Sequence, residues 1–321
     1  MDTNFHGLDT KLIHAGEPQP RILGAVVPPI FQSVTFEATP PDYRDVTYIR
    51  LNNTPNHLTL HRKLAALENA EAALVTASGM AAISATLLTV LSAGDRLLAQ
   101  DCLYGGTHGF LTQEFPAFGI AVDWIDGDDP ASWKANIKRT TRAIYVETMT
   151  NPLLDVGDLR AVVAFARTHG LISIIDNTFA SPVNFRPPEI GFDLSVHSCT
   201  KYVNGHDDIA AGAVIGRAAW IEKITERLNH LGGSLDPHAA FRIIRPTGSG
   251  LRRRPRIHNS PSTLPREPLP QRASPPAAAH AEVPPWRTTL DPPTSPSGRC
   301  PSRIRRGAID RNQPARTTRT R

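Results

Sequence analysis

The residues best able to do chemistry gather in Leu194 to Asp208, L-S-V-H-S-C-T-K-Y-V-N-G-H-D-D. The apolar residues around Leu194 and Val196 predict a short strand. It runs into a polar cluster that holds one lysine, Lys201, beside the hydroxyls of Ser198 and Thr200. Leu171 to Ile175 predicts a second strand, which ends at Asp176 and is followed by Asn177 and Thr178. An amine at one strand end can condense with an aldehyde, and an acid at another can keep a ring nitrogen protonated. A pyridoxal 5'-phosphate site requires that pair. Taken singly, each residue has an ordinary reading: a lysine after a strand is commonly solvated, and a strand-end aspartate commonly caps a helix.

Three further stretches add to the pair. T-A-S-G-M-A-A-I places Ser78, Gly79 and Met80 at the start of a helix rich in small residues, where free N–H groups and the helix dipole suit a phosphate. A simple capped helix would look the same, and the pattern is not the G-x-S-x-G of a hydrolase elbow. D-C-L-Y-G-G-T puts Tyr104, with a flat ring and a phenol, in the loop after a strand. Arg142 to Thr148 predicts a β-branched strand ending in V-E-T-M-T-N-P, with Glu147 at the strand end and Asn151 before Pro152, which holds it extended.

Together, H-S-C-T-K-Y-V-N-G-H-D-D, I-I-D-N-T-F-A-S-P, V-E-T-M-T-N-P, C-L-Y-G-G-T and T-A-S-G-M-A-A-I closely resemble the Cys/Met-metabolism pyridoxal-phosphate enzymes in order and spacing. That family includes cystathionine synthases and lyases, methionine γ-lyase and O-acetylhomoserine sulfhydrylases. The resemblance runs from about residue 8 to residue 241. It implies that Lys201 carries the cofactor, that Asp176 pairs with the ring nitrogen, and that Tyr104 stacks on the ring and takes part in proton transfer. By the same resemblance Ser78, Gly79, Met80, Glu147, Asn151, Ser198 and Thr200 line the cofactor site, with Asn151 reaching the substrate carboxylate. Tyr48 and Arg50, in an arm that wraps a neighbouring subunit, then serve that subunit's phosphate, a role suited to the bidentate guanidinium. A homodimer or homotetramer follows. The chain departs from the pattern in L-N-N-T-P-N after Arg50, in His108, and in Met149 and Thr150, which replace the more usual Pro and Ser.

Strand and helix alternate at least five times between residues 72 and 215. This predicts an α/β fold with a mainly parallel sheet covered by helices. The resemblance specifies it as the large domain of a type I, aspartate aminotransferase-like transferase. Residues 1–56 read as an arm in which Pro28, Pro29, Pro40 and Pro41 forbid helix across most of the length. Residues 57–241 read as the cofactor-binding domain. His57 and His61 are four apart, but without an H-E-x-x-H glutamate or a third ligand no metal is expected.

Residues 242–321 hold 17 Arg, 15 Pro, no Lys and four acids, a net of +13, whereas residues 1–241 carry 18 basic and 26 acidic residues, a net of −8. The basic pI therefore belongs to the tail and says nothing of nucleic acid at the body. Such a tail cannot bury enough apolar surface to fold. Its Arg bias without Lys reads as a shifted frame of a GC-rich gene, so the expectation is a disordered tail in place of the family's C-terminal small domain. The alternatives are a catalytically impaired relative and an Arg-rich-tailed nucleic-acid-binding protein. Three scattered cysteines, no apolar run of membrane length and no signal-like start predict a cytoplasmic protein without a membrane partner. The expected activity is β- or γ-elimination or replacement on small sulfur amino acids such as cystathionine or O-acylhomoserine.

Overall fold

The computed structural model describes residues 7–37 and 46–245. The tail from residue 246 lies outside them, and with it the frameshift reading. Seven short strands form one sheet: β1 (Ala72–Thr76), β2 (Arg96–Gln100), β3 (Ala121–Ile125), β4 (Thr141–Glu147), β5 (Ile172–Asp176), β6 (Leu194–Ser198) and β7 (Gly212–Gly216). Their order is β1-β7-β6-β5-β4-β2-β3. The β3–β2–β4–β5–β6 pairings are parallel, and β7 runs antiparallel between β6 and β1.

Ten helices surround the sheet: α1 (Leu8–His14), α2 (Pro55–Glu68), α3 (Gly79–Val90), α4 (Gly105–Gly109), α5 (Pro130–Asn136), α6 (Leu159–His169), α7 (Ser181–Asn184), α8 (Pro187–Ile190), α9 (Ala218–Leu231) and α10 (Pro237–Ile244). Because helices cover both faces, the strands are apolar in both directions rather than alternating. In β4, Ala143 and Tyr145 join Ile83 and Leu87 of α3 and Ile224 of α9 on one side. Ile144 and Val146 meet Trp133 of α5 and Val162 and Val163 of α6 on the other.

The sheet is mainly parallel, as expected; β7 is the antiparallel exception, and the cause is the connection. Parallel neighbours need a crossover, usually a helix, but residues 199–211 contain none, so the chain doubles back beside β6. That helix-free loop carries Lys201. Gly212 opens β7 opposite Ser198 and Thr76, where a Cβ would collide with the Ser78 carbonyl oxygen and crowd Thr76 Oγ1. Gly212→Ala is therefore expected to destabilise the fold by about 1–3 kcal/mol, read as a lower urea midpoint at unchanged slope.

Among the described residues the arm holds the α-helix α1 and two short 3-10 turns, Ile22–Gly24 and Ile49–Leu51, before α2 begins at Pro55. Leu12 of α1 is buried against α2, and the buried Lys63 amine of α2 donates to the carbonyls of Leu12 at 2.7 Å and Ile13 at 2.9 Å. Two orphan carbonyls at the end of α1 are satisfied in this way. In α2, Leu60, Leu64 and Leu67 are buried at spacings of four and three, one face of a helix. His57 bonds Thr54 Oγ1 and the Leu235 carbonyl, while His61 is half-buried, its Nε2 atom enclosed and without a partner among the described residues. Helix α10 crosses the boundary drawn at residue 241, with Ile243 and Ile244 buried, so ordered packing continues at least to that point.

Candidate active site

Glu147, Asp176 and Ser198 are the last residues of β4, β5 and β6, and Glu147 and Asp176 are paired in register. The carboxyl ends of the parallel strands thus open on one edge, the usual location of a ligand crevice in a doubly wound sheet. A cavity of about 480 Å3 lies there. Of the twelve residues expected from sequence, ten line it: Ser78, Gly79 and Met80 from the start of α3, Tyr104 and Asn151 from loops, Glu147, Asp176 and Ser198 from strand ends, and Thr200 and Lys201 from the β6–β7 loop.

At one end of the cavity the first turn of α3 abuts β6. Ser78 caps this helix by accepting the Ala81 N–H at 3.1 Å, so its hydroxyl does fill the ordinary capping role. The N–H groups of Gly79 and Met80 remain without a partner among the described residues. A Cβ on Gly79 would lie 2.8 Å from Ser198 Cβ, so only glycine lets the helix terminus and the Ser198 hydroxyl share this corner. Thr200, by contrast, spends its hydroxyl on the β6–β7 loop, exchanging hydrogen bonds with the backbone of Ala211 at 3.0 and 3.2 Å.

Asp176 is buried and accepts the Thr178 N–H at 2.9 Å, while the Thr178 hydroxyl accepts the Ser198 N–H at 2.8 Å, which ties the ends of β5 and β6 together. Burial pushes the Asp176 carboxyl above the usual range. Glu147 is pushed up to about 8, by burial first and by the nearby Asp176 second. The Lys201 amine is exposed and makes no hydrogen bond or ion pair with a described residue. The Tyr104 ring, about half exposed at 47%, lies beside Met80 Sδ over Gly106, where a Cβ would strike it.

Tyr48 and Arg50 lie apart from this cavity. The Arg50 guanidinium donates to the Asn229 carbonyl at 2.8 Å and stands 5.3 Å from the Tyr48 ring centre. The unusual L-N-N-T-P-N that follows is a turn, with left-handed Asn52 bonded to the Val75 carbonyl and the Leu235 N–H. His108 stacks on Trp124 rather than entering the cavity. Four lining residues escaped the sequence reading: Ile83, Met149, Thr178 and Phe179. Ile83 sits one helical turn beyond Gly79, and Thr178 and Phe179 follow Asp176 within one motif, so spacing from the motif residues would have found three of them.

A group with an aldehyde, a basic ring nitrogen and a phosphate fits these donors: a free amine, a buried acid and two unused helix N–H groups beside a hydroxyl. Comparison with known proteins points the same way. A probable cystathionine gamma-synthase of Herpetosiphon aurantiacus is 40% identical over 242 residues, covering 75% of each chain. An L-methionine gamma-lyase of Pseudomonas putida is 38% identical, covering 74% of this chain but 63% of that one. The crystal structure of a cystathionine gamma-lyase from Lactobacillus plantarum complexed with L-serine superposes with a TM-score of 0.72 at 36% identity, over 75% of this chain and 63% of the other. The chain thus spans less than two thirds of the length of several relatives that it matches. The profile described as Cys/Met metabolism PLP-dependent enzyme matches residues 9–259, and the chain belongs to that family.

Proposed function

We propose that this chain works in transsulfuration or methionine metabolism, catalysing β- or γ-elimination or replacement on sulfur amino acids, with a cystathionine lyase or synthase activity as the favoured form. One observation carries the proposal: the partnerless Lys201 amine, the buried Asp176 carboxyl and the free N–H groups of Gly79 and Met80 all border the same cavity. Met80, Ile83, Met149 and Phe179 give that cavity an apolar side suited to a thioether side chain.

Bound pyridoxal 5'-phosphate supplies a conjugated ring that withdraws electrons from the substrate α-carbon. The first turn of α3 and Ser198 hold its phosphate. Asp176 keeps the ring nitrogen protonated, helped by an enclosure that strengthens the ion pair. Lys201 would hold the cofactor, and its amine, when free, would take the substrate α-proton and return it. Tyr104 would pack against the cofactor, and the Asn151 amide would meet the substrate carboxylate. Borohydride reduction of the loaded chain, followed by digestion, is expected to leave pyridoxyl on the peptide that contains Lys201. Label on another lysine would refute the assignment. Incubation with cystathionine, methionine and O-acetylhomoserine separates elimination, which releases ammonia and an α-keto acid, from replacement.

Tyr48 and Arg50 serve the phosphate of a second subunit in this reading, so the working form is at least a dimer. Arg50→Ala chains mixed with Lys201→Ala chains are expected to regain part of the wild-type cofactor affinity and turnover. Verified mixed oligomers with no recovery would rule out a shared site.

A further inference from the structure

Glu147 differs from the other acids of the site. Its side chain is buried, and neither oxygen meets a cation among the described residues. Instead Oε1 accepts the Tyr104 N–H at 2.7 Å and Oε2 accepts the Asn151 N–H at 3.1 Å. Its own N–H donates to Gln100 Oε1, from the end of β2, at 3.1 Å. Tyr104 and Asn151 belong to different loops, one after β2 and the other after β4, and they face the same cavity. Among the described residues the other link between these two loops is weaker, Cys102 Sγ lying 3.9 Å from the Asn151 carbonyl oxygen.

We propose that Glu147 is a positioning residue whose two oxygens clamp the Tyr104 and Asn151 loops together, fixing the aromatic ring and the amide at opposite sides of the substrate's entry. The inference deepens the pyridoxal-phosphate reading of this cavity and rests on it for its functional meaning. In place of the direct cofactor contact expected from sequence, Glu147 acts through its two neighbours. A glutamine at this position keeps one acceptor but turns an NH2 toward the second N–H, so one bond is lost and two donors face each other. An aspartate is one methylene shorter and does not span both loops.

The clamp is sensitive to protonation. The charged and titratable groups around Glu147 are Asp176 on β5, the buried Tyr145 on its own strand, and Tyr104 and Lys201 along the cavity; Gln100 on β2 is neutral. A carboxylate is a stronger acceptor than a carboxylic acid, whose proton must occupy one oxygen. The clamp therefore tightens as pH rises through about 8, where Glu147 ionises.

Hydrogen exchange resolved to single amides tests this on the full chain, with and without pyridoxal 5'-phosphate, from about pH 6.5 to about pH 9.5, either side of that ionisation. After correction for intrinsic rates, protection at the Tyr104 and Asn151 amides is expected to rise by about tenfold or more across the step in wild type, the size expected for a charge-assisted hydrogen bond. In Glu147→Gln the amide that loses its acceptor is expected to exchange about tenfold faster at high pH, and neither amide to show the step, while Ile144 in β4 and Ile174 in β5 keep their protection. Cofactor affinity is expected to weaken with Lys201 still the labelled lysine. A wild-type chain without the pH step, Glu147→Gln and Glu147→Asp variants with both amides as protected as before, or protection lost equally from Ile144 and Ile174 would each overturn the clamp. Failure of the wild type to take up pyridoxal 5'-phosphate would instead overturn the cofactor reading, and the exchange pattern of the cofactor-free chain would still decide the role of Glu147.

Discussion

Lys201→Ala is expected to abolish borohydride-trappable cofactor and to lower any turnover by about a hundredfold to ten-thousandfold, the range for loss of a positioned proton-transfer group. The expectation follows from where the other amines lie: Lys134 is on helix α5, away from the cavity, and the remaining four are committed. Lys63 is buried and holds two carbonyls of the arm, Lys138 is paired with Asp123 at 2.5 Å, Lys11 bonds Asn69, and Lys223 lies over the Trp220 ring. Only Lys201 among the lysines lines the cavity. Lys201→Arg is expected to fail as completely, because a guanidinium stays protonated and does not condense with an aldehyde. The phosphate corner and Asp176 are intact in both variants, so weak non-covalent cofactor binding should persist, visible as fluorescence quenching that dialysis removes. Covalent label retained by either variant would show that the wrong lysine has been assigned.

The parts of the site that sequence made legible are those whose chemistry is local. Asp176, Ser198 and Glu147 end apolar runs that can only be buried strands, and a strand end in a doubly wound sheet is also a site position. Ser78 and Gly79 announce a helix start, and both the cap and the free N–H groups follow from that. The antiparallel β7 was hidden because G-A-V-I-G reads as an apolar strand in either direction, and direction depends on the absence of a crossover helix in residues 199–211. Glu147 was read as a cofactor contact because it is an acid at the right strand end. Its actual partners, the N–H groups of Tyr104 and Asn151, lie 43 and 4 residues away and meet it only once β2 and β4 are adjacent. Helix α1 was obscured by the prolines of the arm, since its stability comes from Leu12 and Lys63 across the fold rather than from propensity.

The cofactor-free chain is expected to be least stable near pH 8, and the buried ionisable groups give the sign on each side. Glu147 has its native value raised from 4.5 to about 8, so between those limits the native state binds more protons than the unfolded state and stability falls as pH rises. Asp176, also raised by burial, adds to the fall. His61 opposes it at the acid end: burial lowers its value from 6.5 to about 3, so in that interval the unfolded state binds the extra proton and stability rises with pH. The two slopes offset each other up to about pH 6.5, and from there to about pH 8 Glu147 is uncompensated, which at 1.36 kcal/mol per unit amounts to about 2 kcal/mol. Above that point Lys63 reverses the trend. Its native value is lowered from 10.5 to about 8 by burial, so the cost of its charge is present below pH 8 and is relieved as pH rises to about 9, above which the buried Cys199 thiol, raised by burial, offsets the gain. Urea midpoints across this range test the account. Glu147→Gln is expected to shrink the falling limb to the part that Asp176 contributes, and Lys63→Met to remove the recovery on the alkaline side. A wild-type profile that rises steadily from pH 6.5 to pH 8, or a Glu147→Gln profile whose fall is undiminished, would show that Glu147 does not bear the buried charge in this fold.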